Sequence, residues 1–142
     1  TKFNIHYLEG WIDFVKSRWE KSFLFFKAFN SFGASVQESQ LFFPNYDDIE
    51  KQIKKVRYEY NIAYVPFCKL GENINKSIEF EFISELLRGD NFKDNLRKLR
   101  SLFQDNVFLK SCEQCIHFSY CLGIPKNYIY LYGKESISPI GG

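Results

Sequence analysis

All four cysteines of the chain fall after residue 67, and three of them sit in the run Cys112-Glu-Gln-Cys115-Ile-His-Phe-Ser-Tyr-Cys121. This C-x2-C-x5-C spacing, with Cys68 far upstream, constrains the fold more than any other feature. Two thiolates in a C-x2-C step converge on one metal centre from a single tight turn. A third after a short loop, and a fourth from a distant element, complete four-coordinate sulfur ligation. The spacing therefore predicts a chain that folds back so that Cys68 meets Cys112, Cys115 and Cys121. Soft thiolates alone leave two occupants, zinc or an iron–sulfur cluster.

Other uses of the cysteines fit less well. Two disulfides belong to an oxidising compartment, and Thr1–His6 has none of the tripartite form of a secretory signal. Unligated buried cysteines occur singly rather than in clusters. A Cys-x-x-Cys redox pair opens a helix after a strand in a thioredoxin-like unit, and no such pattern surrounds Cys112. His117 lies inside the x5 stretch and can replace one ligand, but four thiols already suffice, so it reads as a loop residue. His6 is isolated and carries no argument.

The chain has 142 residues, 45% of them hydrophobic and 19% aromatic, including sixteen Phe and nine Tyr. That predicts a packed core rather than disorder. A net charge of +2 argues against nucleic acid as a partner on charge alone. No apolar run reaches the ~18 residues of a membrane span, so a soluble, cytoplasmic protein is expected. The sequence contains no Met, even at position 1, which predicts a processed, excised or partial chain.

Residues 7–19 have Leu8, Trp11, Ile12, Val15 and Trp19 at helical spacing. Ser22–Phe29 reads as a strand buried on both faces, and Asn30–Gln40, with Gly33, as the loop after it. Pro44-Asn45-Tyr46-Asp47-Asp48 marks the start of a helix bearing Ile49, Ile53, Val56 and Tyr60. Asn61–Phe67 reads as a second strand, so the order predicts a βαβ unit with parallel strands. Ile78, Phe80 and Phe82 alternate with Glu79 and Glu81, which predicts a short half-exposed strand. Asp90 or Asn91 is positioned to cap a helix to about Phe103, with Phe92, Leu96 and Leu99 on one face. Its Lys93, Arg97, Lys98 and Arg100 read as a solvated face. Tyr128, Tyr130 and Tyr132 read as packing residues. Glu38 and Glu135 have no recognisable catalytic partner.

The tail as a whole follows a known order of motifs. Cys112-x2-Cys115-x5-Cys121-x-Gly123, then Tyr128, Tyr132-Gly133-x-Glu135 and Pro139-Ile140, resembles the C-terminal signature of radical SAM enzymes that carry an auxiliary iron–sulfur domain of the SPASM or twitch type. Leu41–Ile49 and Val65-Pro66-Phe67-Cys68 resemble the helix start and strand end that precede that tail. The resemblance implies an α/β fold: residues 1–67 as the last helix and strands of a partial (β/α) barrel, and residues 68–142 as a small cysteine-rich, metal-binding extension. It further implies an auxiliary [4Fe-4S] cluster on Cys68, Cys112, Cys115 and Cys121, and a peptide as the substrate of the intact enzyme.

In that family a C-x3-C-x2-C motif holds a second [4Fe-4S] cluster that reduces S-adenosylmethionine to a 5′-deoxyadenosyl radical. This sequence has no such motif, so the chain alone is expected to be inactive and to need an N-terminal radical SAM barrel region as partner. Two readings from other classes stand beside it: a zinc-stabilised interaction or nucleic-acid-binding module, and an iron–sulfur electron-transfer subunit. The single C-x2-C pair, where zinc ribbons use two, weighs against the former.

Overall fold

Ile12 seats the first helix, α1 (Leu8–Arg18), against the core, with Leu8 and Val15 partly buried beside it. Trp11 and Trp19, expected on the same face, are instead exposed. The computed structural model describes residues 1–28 and 35–141. Gly33, expected in the loop after the first strand, lies outside the described residues, as does Phe29 at that strand's expected end.

Strand β1 (Leu24–Lys27) is shorter than its apolar run and pairs in parallel with β2 (Tyr60–Ala63), Leu24 opposite Tyr60 through Lys27 opposite Ala63. Between them come two helices. The segment expected to be loop up to Gln40 contains α2 (Val36–Phe42). A reciprocal cap starts it: Ser35 Oγ accepts from Glu38 N–H, and the Glu38 carboxylate accepts from Ser35 N–H. Helix α3 (Tyr46–Ile53) begins where Asn45 caps it, Oδ1 accepting from Asp47 N–H at 2.9 Å. Tyr46, Ile49 and Ile53 form its buried stripe. It ends before Val56, because Tyr60 is taken up by β2.

After β2 the chain departs from the extended conformation expected to Phe67. Tyr64 has a φ of +64°, a region that non-glycine residues occupy rarely. Its N–H is held by Glu79 Oε1 at 2.8 Å. Pro66 then caps a single helical turn, α4 (Phe67–Leu70). Cys68 therefore sits in a helix that follows the strand, not on the strand itself.

The strand expected at residues 78–82 is a helix, α5 (Ile78–Leu86). Ser77 caps it, its Oγ accepting from Phe80 N–H at 3.2 Å, and Glu79 and Glu81 place negative charge in the first turn, where the helix dipole favours it. Ile78 and Phe82 are exposed, and Ile83 is the side chain the helix buries. Helix α6 (Phe92–Ser101) buries Leu96, and neither Phe92 nor Leu99 is fully exposed. Asn91 precedes it without a side-chain capping bond.

A short antiparallel pair, β3 (Asn106–Val107) with β4 (Ile124–Pro125), brackets the cysteine segment. Helix α7 (Lys126–Tyr132) closes the fold by packing on α2 and α3: Asn127 Nδ2 donates to Ser39 Oγ at 2.9 Å, and Tyr132 donates to the Phe43 carbonyl at 2.7 Å. The protein is thus mixed α/β and rich in helix. Among the described residues the strands make two two-stranded sheets, and no barrel closes. One buried cluster runs from Ile12 to Ile137, so the core is continuous across residue 67. None of the described helices is long and apolar enough to cross a membrane.

Candidate metal centre

Three local structures carry the four cysteines. Cys68 is in α4, whose position is fixed by an ion pair between Lys69 Nζ and Asp47 of α3 at 2.6 Å. Cys112 lies in a 3-10 turn (Lys110–Gln114), and Cys115 ends it with its N–H donating to the Cys112 carbonyl at 2.9 Å. That is the tight turn the C-x2-C step requires. Cys121 follows a second turn in which its own N–H donates to the His117 carbonyl at 2.8 Å.

The four thiols share one wall. Cys68, Cys112, Cys115 and Cys121 all line a single cavity of about 360 Å³, counted with its opening to solvent, together with Phe67, Phe108 and Ile137. None of the four is in a disulfide, and all are half-buried. Apart from the sulfurs and His117, the residues that line the cavity are apolar. The C-terminal segment covers it: Pro139 is in the wall, and the Ile140 carbonyl accepts from Ile116 N–H at 3.2 Å.

Among the described residues, no three His, Cys, Asp or Glu side chains already stand together as a group able to hold a metal ion. The elements that carry the cysteines thus converge on one cavity, while their side chains do not form a closed ligand group. Neutral thiols have no attraction that would draw four of them to ligand distance, whereas a cation does.

Electrostatics favour neutrality in the metal-free site. Burial pushes the Cys68 thiol up to about 12, helped by Cys121, Cys115 and Cys112 and opposed by Lys69. Burial likewise raises Cys121, against the Gly123 N–H, which donates to its sulfur at 3.3 Å. Half-buried, clustered thiols resist ionisation until positive charge comes among them.

Gly123 is required where it stands. Its φ is +83°, and a Cβ there would lie 3.0 Å from the Val107 carbonyl oxygen and 3.2 Å from Asn106 Cβ. The glycine lets the chain pass under β3 while aiming its N–H at Cys121.

His117 is buried in the same wall, with Nδ1 hydrogen-bonded to the Tyr120 hydroxyl. Burial lowers its pKa. Tyr46 was missed by sequence reasoning as a neighbour of the site. Its fully buried hydroxyl has no hydrogen-bond partner among the described residues and lies near enough to Cys68 for the two to repel when ionised. Tyr130 is exposed, Glu38 serves as a cap, and neither reaches the cavity.

Compared with known proteins, the chain matches no family model, no curated protein and no solved structure.

Proposed function

We propose that Cys68, Cys112, Cys115 and Cys121 bind one auxiliary [4Fe-4S] cluster, and that the chain is the C-terminal region of a cytoplasmic radical SAM enzyme acting on a peptide. The observation that carries this reading is the convergence of every cysteine in the sequence on one apolar cavity. The donor set fits: four soft ligands, no oxygen ligand among them, and a backbone N–H already directed at one sulfur. When bound, such a cluster supplies one-electron transfer or structural cross-linking, since four thiolates leave no iron open to substrate.

The chain's own residues do the rest. The α3–α4 ion pair sets Cys68, the two turns set the later three, and Phe67, Phe108 and Pro139 exclude water. The barrel part of the reading is supported by the parallel β1–β2 pair. Among the described residues β1 has β2 as its single neighbour, and Phe25 within it and Phe23 just before it are exposed, as on a strand of a larger parallel sheet.

Anaerobic reconstitution with ferrous iron and sulfide tests the cluster. The expected product is brown, absorbs broadly in the visible, and holds about four iron and four sulfide per chain. Cys68→Ser is expected to lower that loading sharply. A colourless protein holding about one zinc, indifferent to iron and sulfide, would support a zinc-stabilised module and sink the iron–sulfur reading.

A further inference from the structure

We propose that Arg100, outside the cysteine motif, is the positioning residue of the metal centre: its guanidinium holds the Cys121 turn in ligand-ready form and places an unneutralised positive charge at that turn. The inference rests on the reading of Cys121 as a metal ligand.

Sequence pattern assigns Arg100 to a solvated face, and the structure places it elsewhere. From the last turn of α6 it reaches across to the second cysteine turn and donates to three carbonyl oxygens there. Nε donates to Cys121 at 3.0 Å, and Nη2 donates to Phe118 at 2.9 Å and Ser119 at 3.3 Å. The guanidinium also lies over the Phe108 ring, 5.1 Å from its centroid. Phe108 in turn meets Phe118 edge-on at 5.5 Å, and both rings line the cysteine cavity. One side chain thus fixes both the backbone of the loop that ends in Cys121 and an aromatic wall of the site.

The carbonyls are met from two separate nitrogens, Nε and Nη2, a spread that a planar fork spans and one ammonium nitrogen does not. The charge also stays available. Every hydrogen bond named for Arg100 goes to a neutral carbonyl, and no ion pair involves it among the described residues, whereas Lys69 beside Cys68 is already paired with Asp47. Four thiolates gathered on a metal carry excess negative charge. A fixed cation at the loop offsets part of it, and a preformed loop reduces the ordering that metal uptake must complete.

The test compares wild type with Arg100→Gln, Arg100→Lys and Arg97→Gln, the last an exposed arginine on the same helix. Co2+ is titrated without oxygen into reduced, chelator-stripped protein and followed by its thiolate absorption. Arg100→Gln is expected to bind Co2+ roughly 10- to 100-fold more weakly, the usual cost of losing an outer-shell partner. Arg100→Lys should fall between, and Arg97→Gln should match wild type. Separately, metal-free protein is alkylated with iodoacetamide and the sites mapped. The labelling of Cys121 relative to Cys112 is expected to rise roughly tenfold in Arg100→Gln, because release of the turn exposes a buried thiol and this outweighs the thiolate stabilisation lost with the charge.

Unchanged affinity and labelling in Arg100→Gln overturn the proposal. Should that variant fail to fold, Arg100→Lys decides: a match to wild type in both readouts overturns the role of the fork. A wild type that takes up neither Co2+ nor, with ferrous iron and sulfide, a cluster sinks the metal reading itself, while the labelling ratio still decides whether Arg100 holds the turn.

Discussion

Tyr46 and Tyr128 stack with ring centroids 4.1 Å apart in the deepest part of the core, yet their hydroxyls have opposite situations. That of Tyr128 accepts from Tyr46 N–H at 3.3 Å and donates to Asn45 Oδ1 at 3.1 Å, so it serves the exposed end of the α3 hydrogen-bond ladder. That of Tyr46 has no partner among the described residues. Removing an unpaired buried hydroxyl relieves a desolvation penalty, whereas removing a paired one strands its partners. Tyr46→Phe is therefore expected to leave the metal-free protein as stable as wild type or more so. Tyr128→Phe should cost about 1–2 kcal/mol. Urea denaturation of the two variants checks this, and a larger loss from Tyr46→Phe than from Tyr128→Phe would show the assignment inverted. At this scale the sequence named the four cysteines by type and spacing alone. It could not name Arg100 or Tyr46, because a lysine-like surface position and a core tyrosine look the same whether or not a thiol lies opposite. Their roles depend on contacts between residues 18 to 82 positions apart, which no local pattern encodes.

Ser77 shows why some elements were legible and others were not. The alternation Ile78, Phe80, Phe82 has only three apolar positions, too few to separate a period of 2 from one of 3.6. What decides is the cap, and the cap is a tertiary fact as well as a local one. Ser77 is buried; its Oγ accepts from Phe80 N–H and donates to Glu79 Oε2 at 2.9 Å, and Glu79 in turn holds the left-handed Tyr64. Helix α5 and the turn after β2 are therefore braced by one hydroxyl. Ser77→Ala is expected to destabilise the protein by roughly 1–2 kcal/mol, the upper range for a lost N-cap. Ser77→Thr should recover much of it. Chemical denaturation measures both, and an Ala variant as stable as wild type would mean that neither bond contributes. The helices α1, α3 and α6 were readable because their apolar stripes repeat over two turns or more. The helix α2 was hidden: its Ser35/Glu38 cap was present in sequence, but only Ser39 of its own seven residues is buried, so no stripe announced it. The parallel β1–β2 pair was legible from strand–helix–strand order, but not its four-residue length.

For the molecule as a whole, the proposed centre links two halves of the chain, Cys68 on one side and the Cys112–Cys121 segment on the other, across a core that is already continuous. The protein is thus expected to fold without metal and to gain stability from it, in an amount that depends on pH. In the metal-free state the folded Cys68 thiol titrates near 12 because it is buried, and Tyr46 is raised for the same reason. Unfolded, these groups ionise near ~8.5 and ~10. Raised folded values mean their contribution is complete below the unfolded ones and is lost as pH climbs past them. The stripped protein should therefore lose Tm steadily above about pH 8.5. Metal binding reverses the thiol part of this. Each thiol that is protonated when free and ionised when bound makes affinity rise about tenfold per pH unit, or about 1.4 kcal/mol of added stability. The gap in Tm between loaded and stripped protein should consequently widen from pH 6 to pH 9, and Cys68→Ser should flatten that slope. Anaerobic calorimetry across this range measures the gap directly. A gap that stays constant or narrows as pH rises would show that the thiols do not surrender protons to a metal, and the centre would have to be something other than a thiolate site.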